Sequence, residues 1–331
     1  MGLVVGDVAG HGLGAAATMG RLRTTVAALA ALDLEPDELL ARLNDLVARA
    51  GAPPSADLAD EDRALRVTCL YAVYDAVSRR CVMARAGHPP PALVTADGRT
   101  EFMDLSSGPP LGLGGLPFES TEFDLSEGSV PALFTNGLVE CRRRDIDTGI
   151  SALCDTLAEV GSGSLEEACE GVVGALLSRS PEDDAALLLV RVHALAEDLV
   201  ATWDIPADSE EVARARSWTR DRLARWGLPD ETSSVLELVV SELVTNAIRY
   251  GGTPVRLRLI RDRGLIVEVS DGGHTSPHLR RAATEDEGGR GLFLVAQMTD
   301  HWGTRYTSTG KTIWTRMPSA PRGLPAAAYG L

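Results

Sequence analysis

The sequence predicts an α/β chain of the α+β kind, built as two successive units that each set helices against a sheet. Three observations carry that prediction. Short β-like runs alternate with Ala-rich segments whose apolar residues fall at helical spacing. A charged, Ala-rich stretch at 193–204 interrupts the pattern. A second block then opens with two helical segments and returns to strands.

Taken in order, the strand-like Leu3-Val4-Val5 leads into the glycine turn Gly6-Asp7-Val8-Ala9-Gly10-His11-Gly12. Residues 13–33 read as a helix, and so do 35–50, where Leu39, Leu43, Leu46 and Val47 share one face. A Pro/Ala/Asp loop at 51–62 precedes strands at 65–74, 80–86, 92–95, 130–135 and 185–192. Leu187-Leu188-Leu189-Val190 is expected to be a buried terminal strand. The first domain is thus placed at 1–193, a linker at 194–204, a second domain at 205–318 and a frayed Pro/Gly/Ala-rich tail at 319–331. Within the second domain, helix 209–226 is closed by Gly227 and Pro229, and a long helix runs from 230 to 249. Strands follow at 255–261 and 265–270, then a polar, glycine-punctuated segment at 272–290, a helix at 292–298 and a closing strand at 311–317.

Composition narrows the function classes. The chain has 331 residues, 44% hydrophobic and 24% charged, which suits a soluble globular protein of about two domains. A formal charge of -15, from 47 Asp+Glu against 32 Lys+Arg, argues against a general nucleic-acid binder, which needs a basic face to neutralise phosphates. Cys69, Cys81, Cys141, Cys154 and Cys169 are scattered without a CxxC pair, so reduced thiols are expected. No apolar run approaches the roughly 18 residues of a membrane span. The expectation is a cytoplasmic protein with neither nucleic acid nor membrane as a partner.

On the long helix, Glu242 and Asn246 stand four residues apart and share a face. They are followed in order by Asp271-Gly272-Gly273, Gly288-Gly289-Arg290-Gly291 and Gly310-Lys311-Thr312. An amide oxygen at Asn246 can ligate Mg²⁺, Glu242 can orient or deprotonate a nucleophile, and Asp271 can accept a hydrogen bond from an adenine amino group. Gly273 and the 288–291 cluster let backbone amides approach phosphates. From about 203 to 317 this set resembles the GHKL (Bergerat-fold) ATPases, with Ser-Glu-Leu-Val-Thr-Asn-Ala-Ile-Arg-Tyr-Gly at 241–251 as the N-box. The likeness is nearest to their anti-sigma-factor serine kinase branch. The resemblance implies ATP with Mg²⁺ held under a lid at about 274–289. It gives Asn246 to the metal, Asp271 to the adenine, Gly273, Gly289 and Gly291 to the phosphates, Thr312 to the nucleotide as a further binding residue, and Glu242 the role of base toward a protein serine.

In the first unit the glycine turn is followed by Ala86-Gly87-His88-Pro89-Pro90-Pro91, Gly108-Pro109-Pro110-Leu111-Gly112, Phe134-Thr135-Asn136-Gly137 and Asp183-Asp184-Ala185-Ala186-Leu187. These five segments, across 1–193, resemble the SpoIIE-type branch of PPM metal-dependent protein serine/threonine phosphatases, whose fold is an αββα sandwich. The resemblance implies hydrolysis of a phosphoserine protein, typically an anti-anti-sigma factor, by water activated between two Mn²⁺ or Mg²⁺ ions. Asp7 would bridge the metals, the Val8 carbonyl and Asn136 would add oxygens, and Asp183 rather than Asp184 would complete the second metal. Two departures follow. The family's acidic G-D-x-[YF]-D segment belongs upstream of Met1, so an edge strand of the sheet is expected to be missing. Asn136 stands where the family has Asp, which removes a negative charge from the metal site.

Two function classes stay open at this stage. One is a phosphatase carrying an ATP-binding, kinase-like domain in a sigma-factor partner switch. The other is a catalytically degenerate regulator or serine kinase that binds sigma or anti-anti-sigma factors. The kinase-like resemblance also makes a homodimer plausible.

Overall fold

The computed structural model describes residues 1–10, 12–51, 66–113, 117–141, 145–160, 163–177, 183–275, 291–307 and 309–318, and divides into two compact units, Met1–Ala194 and Leu195–Leu331. The α/β class predicted from the sequence is what is observed in each. His11, Gly288, Gly289, Arg290, the lid beyond residue 275 and the tail from 319 lie outside the described residues.

In the first unit the elements run β1 (Gly2–Val8), α1 (Leu13–Ala30), α2 (Pro36–Gly51), β2 (Val67–Asp75), β3 (Arg80–Ala86), β4 (Ala92–Val94), β5 (Thr100–Phe102), β6 (Ser107–Gly108), β7 (Thr121–Asp124), β8 (Val130–Phe134), α3 (Asn136–Val139), α4 (Ile146–Val160), α5 (Leu165–Leu176) and β9 (Leu187–Leu189). One sheet is ordered β1-β2-β3, with β6 and β7 both pairing β3. The other is ordered β5-β4-β8-β9.

Strand β2 shows why these residues make a four-layer sandwich. Its near-continuous apolar run is the signature of a strand covered on both faces. Cys69 and Tyr71 point to one face and pack with Leu39, Leu40 and Leu43 of α2. Leu70, Ala72 and Tyr74 point to the other and meet Leu133 and Leu188 of the second sheet. The same alternation recurs on β8, where Leu133 faces the first sheet while Ala132 and Phe134 meet Leu153, Leu157 and Val172 of α4 and α5. Leu70, Met83 and Leu133 are each no more than 1% exposed, and each such side chain contributes about 1.5–3 kcal/mol of burial. The layers are therefore helix, sheet, sheet, helix.

Strand β1 stands at the edge of its sheet and pairs β2 in antiparallel register from Gly2↔Val73 to Val8↔Val67. Strand β9, expected to be buried, is half-buried at the edge of the second sheet, with Leu187 and Leu188 partly exposed. An edge strand lacks one of the two neighbours that would cover it.

The second unit runs β10 (Val200–Ile205), α6 (Glu211–Arg225), α7 (Asp230–Asn246), a π-helical turn at Ala247–Gly251, β11 (Val255–Arg261), β12 (Leu265–Asp271), α8 (Gly291–Met298), β13 (His301–Thr307) and β14 (Gly310–Met317). Its sheet is antiparallel throughout, in the order β10-β11-β12-β14-β13. Leu257, Leu259, Val267, Val269 and Ile313 face Leu236, Val240 and Leu243 of α7 and Val295 of α8. Arg258 pairs with Glu268 on the opposite face, so here the strands alternate apolar and polar.

Two differences from the sequence reading concern boundaries. The stretch 194–204, read as linker, contains most of β10, which pairs β11 from Val200↔Ile260 to Ile205↔Val255. Its mixed composition reflects an edge strand with a single buried face. The long helix ends its α-helical run at Asn246 and widens into the π turn, a local form that recurs at functional sites.

Candidate functional site

Asp7 sits near the end of β1, one residue before the buried Val8. The backbone leaves the strand through Gly10 at φ 103° and Gly12 at φ 87°, the left-handed region that glycine tolerates without strain. Gly12 is the N-cap of α1. Gly6 is also required: a Cβ there would come within 2.8 Å of the Thr68 carbonyl on β2.

The remaining acidic residues arrive from the other sheet. Thr135, at the end of β8, bonds through its amide to the Ala186 carbonyl at 3.1 Å, and its hydroxyl accepts from the Ala186 amide at 2.9 Å. The same hydroxyl donates to the Asp184 carbonyl at 3.3 Å. Gly137 lies so close that a Cβ there would fall on the Asp184 backbone and within 3.3 Å of Asp183 Cβ. These bonds lock Thr135-Asn136-Gly137 to Asp183-Asp184, two segments far apart in the chain. Asp7 feels the result: burial first and then the Asp183 carboxylate push its carboxyl above the usual range, the Val8 amide opposes them, and Asp184 adds the smallest push.

The structure thus brings Asp7 within electrostatic reach of Asp183 and Asp184, with the backbone of Gly137, next to Asn136, packed on the Asp183–Asp184 segment. Among the described residues no group of three or more His, Cys, Asp or Glu side chains is arranged to hold a metal outright. Hard oxygen donors that repel one another fit a divalent cation, and water would complete its shell. Beside Asp7 opens a cavity of about 400 Å³, lined by Val5, Met19, Val26 and Leu187 with Arg23 as its one basic residue among those described.

The proline motifs serve the fold. A Cβ on Gly87, at φ 61°, would come within 2.6 Å of the Pro110 ring, and the Gly87 amide bonds the Gly108 carbonyl at 2.8 Å. His88 is 1% exposed, and burial lowers its pKa to about 4, with the Phe134 carbonyl opposing more weakly. Its Nδ1 lies 3.0 Å from Thr68 Oγ1. The cysteines remain free, and burial raises the thiols of Cys69 and Cys81 to about 12, so neither is a nucleophile at neutral pH.

In the second unit, Glu242 and Asn246 share one face of α7, both half-buried. Gly291 opens α8 directly against Glu242, and a Cβ at 291 would overlap that carboxylate. At the end of β12, Asp271 is enclosed by glycine. A Cβ on Gly251 would overlap its carboxylate, and one on Gly310 would overlap its carbonyl. Asp271 Oδ1 accepts from the Gly273 amide at 2.8 Å and from Lys311 Nζ at 2.8 Å. This close backbone packing fits a site where a ligand meets main chain, as a nucleotide would.

Thr312 stands on the other face of β14 from that cluster. Asp271 pairs with Lys311 across β12–β14, and Thr312 pairs with Ser270 on the other face, where the two hydroxyls lie 2.8 Å apart. Lys311 is the residue the sequence reading missed. Gly289 lies outside the described residues. Among the described residues no helix is long and apolar enough to cross a membrane.

Comparison with known proteins agrees with this geometry. Residues 1–193 match the family described as Stage II sporulation protein E (SpoIIE), and residues 205–317 match the histidine kinase-like ATPase domain. Phosphoserine phosphatase RsbU of Bacillus subtilis (strain 168) is 26% identical over 195 residues, covering 57% of this chain. The match spans only 55% of that relative's length. The structure of the RsbU and RsbW domains of Rv1364c from Mycobacterium tuberculosis aligns with TM-score 0.53 and 23% identity, over 96% of this chain and 84% of that one. That likeness extends the agreement in fold across both units.

Proposed function

The chain belongs to the SpoIIE family and carries a histidine kinase-like ATPase domain behind its SpoIIE domain, and from that premise we propose that it is a metal-dependent protein-serine phosphatase acting on a phosphoserine regulatory protein of the anti-anti-sigma type. The observation that carries this reading is the convergence of Asp183 and Asp184 on Asp7, whose carboxyl is held above its usual range by burial and by those two neighbours. A carboxylate whose charge is opposed by two acidic neighbours beside a cavity would gain from a cation there.

Asp7, the Val8 carbonyl, Asn136 and Asp183 would hold Mn²⁺ or Mg²⁺. Such an ion, when bound, supplies charge neutralisation at the phosphoryl oxygens and a more acidic water. The protein's own part is positional. The Thr135 hydroxyl and amide tie the end of β8 to the Asp184–Ala186 backbone, and Gly10 and Gly12 let the chain turn away from Asp7 without a side chain in the way. The cavity beside Asp7 offers an apolar wall for the peptide around the phosphoserine, and Arg23 offers a cation for its anionic groups.

The second unit is proposed to bind ATP with Mg²⁺, with Asn246 at the metal, Asp271 at the base, and Gly273, Gly289 and Gly291 at the phosphates. Glu242 would act as the base toward a partner's serine hydroxyl. A sigma factor or anti-anti-sigma protein is the partner class this suits, with a homodimer as the assembly to test.

The test is Mn²⁺-dependent release of phosphate from a phosphoserine protein by the full chain. Turnover that requires Mn²⁺ and disappears in Asp7→Ala supports the reading. Turnover unchanged in Asp7→Ala and Asp183→Ala would remove the proposed centre.

A further inference from the structure

His88 is fixed in place more firmly than core packing alone requires. Arg85 donates to the Leu105 carbonyl through Nε at 3.1 Å and Nη2 at 2.8 Å, and to the His88 carbonyl through Nη1 at 2.9 Å. The Gly87 amide bonds the Gly108 carbonyl at 2.8 Å, and Gly87 lies against the Pro110 ring with no room for a side chain. The two proline motifs thus clamp the backbone that carries one buried imidazole. Its Nδ1 lies 3.0 Å from Thr68 Oγ1. The Phe134 carbonyl also acts on the ring, short of a formed hydrogen bond, since Nε2 is buried and unbonded.

We infer that His88 is a positioning residue of the acidic site, a rigid spacer between the strand that carries Asp7 and the strand that leads into Asn136. The inference rests on the reading of the first unit as a metal site. Thr68 stands directly opposite Asp7 in the β1–β2 register, and side chains so placed share a face with Cβ atoms about 4.5–5.5 Å apart. By alternation that face is the one of Val5 and Leu70, turned toward the second sheet. On that second sheet Phe134 ends β8, and Thr135 after it bonds the Asp184–Ala186 segment. The imidazole therefore stands one neighbour away from Asp7 on one sheet and from Thr135 on the other. A cation whose ligands come from both sheets needs their separation held to within about 0.5 Å. Groups behind the ligands supply that constraint, and losing one weakens metal binding about 10–100-fold.

The experiment is calorimetric titration of the full chain with Mn²⁺, with a thermal scan of each variant. Thr68→Val, which keeps the shape and removes the hydroxyl, should weaken Mn²⁺ binding at least about tenfold, and His88→Leu by a similar factor. The double variant should lose little more than either single one, because both cut the same link. Thr68→Ser keeps the hydroxyl and should bind Mn²⁺ close to the native level. Val172→Ala, buried on the outer helix α5, is the control: it should lower the melting temperature and leave Mn²⁺ affinity unchanged. If His88→Leu does not fold, the comparison of Val with Ser at position 68 decides alone. Native Mn²⁺ affinity in Thr68→Val would overturn the inference and leave the metal reading intact. So would a Thr68→Ser as weak as Thr68→Val, additive losses in the double variant, or an equal weakening in Val172→Ala at an equal loss of melting temperature. If the native chain binds no Mn²⁺, or Asp7→Ala binds it as well as the native chain does, both this inference and the metal reading fall.

Discussion

Thr68 Oγ1 lies 3.0 Å from Nδ1 of the buried His88, and Thr68 is the residue directly opposite Asp7 in the β1–β2 ladder. A buried imidazole thus supports the strand that faces the acidic site. Burial keeps His88 neutral, with a pKa of about 4 against 6.5 when unfolded. The unfolded chain therefore takes up the proton first as pH falls. His88's contribution to stability is complete above pH 6.5, declines between 6.5 and 4, and is gone below that, a difference on the order of 3 kcal/mol. Hydrogen exchange of the β2 amides at pH 7.0, 5.5 and 4.5 should show protection falling across this window. His88→Gln should be less stable at pH 7 and lose most of the slope. A native slope that survives in His88→Gln would assign the effect to other groups.

Asp7 has the opposite sign. Its carboxyl is raised, so it favours the folded state at low pH and opposes it once ionised, as pH rises through the raised value. At pH 7 without metal the ionised Asp7 faces Asp183 and Asp184 unscreened. Asp7→Asn should then raise the melting temperature of the metal-free chain by roughly 2–4 °C. The same variant should lose the stabilisation that Mn²⁺ gives the native chain. Thermal scans with and without Mn²⁺ read both effects, and a destabilised Asp7→Asn would contradict repulsion among these three carboxylates.

Much of this was legible in the chain itself, for reasons that differ by position. The apolar run of β2 forms a strand as read, and of the Leu39, Leu43, Leu46 and Val47 stripe of α2 three residues are buried while Leu46 is 43% exposed, at the border of that face. The convergence of Asp7 with Asp183 could be named only through resemblance, because it depends on Thr135 bonding Ala186 some fifty residues away. Thr312 shows the limit most directly. The resemblance named it, but strand register decides which of two adjacent residues faces Asp271, and a one-residue step moves the side chain to the other face. A buried lysine was the available signal: in β14, Lys311 alternates with residues that all face the core. Short elements such as β5, β6 and β7 had too few residues for any period to show.

Asn136 precedes Gly137, whose backbone packs on the Asp183–Asp184 segment. It offers a neutral carbonyl where a carboxylate would add a charge. Asn136→Asp should therefore tighten Mn²⁺ binding by about tenfold, since cation affinity follows the ligand charge count. It should also raise the Asp7 carboxyl further in the metal-free chain, by adding a third nearby negative charge to those of Asp183 and Asp184. Calorimetric titration with Mn²⁺ at fixed pH measures the first effect, and unchanged affinity would place Asn136 outside the metal's reach.

Gly291 has no room for a side chain, because a Cβ there would overlap the Glu242 carboxylate. Glu242 is half-buried on α7 with Leu243 and Val244 in the core behind it. Gly291→Ala then displaces either the Glu242 carboxylate or the start of α8, at a cost of up to about 1–3 kcal/mol for an overpacked contact. The five tryptophans, Trp203, Trp218, Trp226, Trp302 and Trp314, all lie in this second unit, so their fluorescence reports its unfolding free of the first. Denaturant titration followed by tryptophan emission should show the midpoint lowered in Gly291→Ala. Gly291→Ala combined with Glu242→Gly should recover part of that loss, since the smaller residue vacates the space. If the double variant recovers nothing, the contact between Gly291 and Glu242 is not what sets the spacing of α7 and α8.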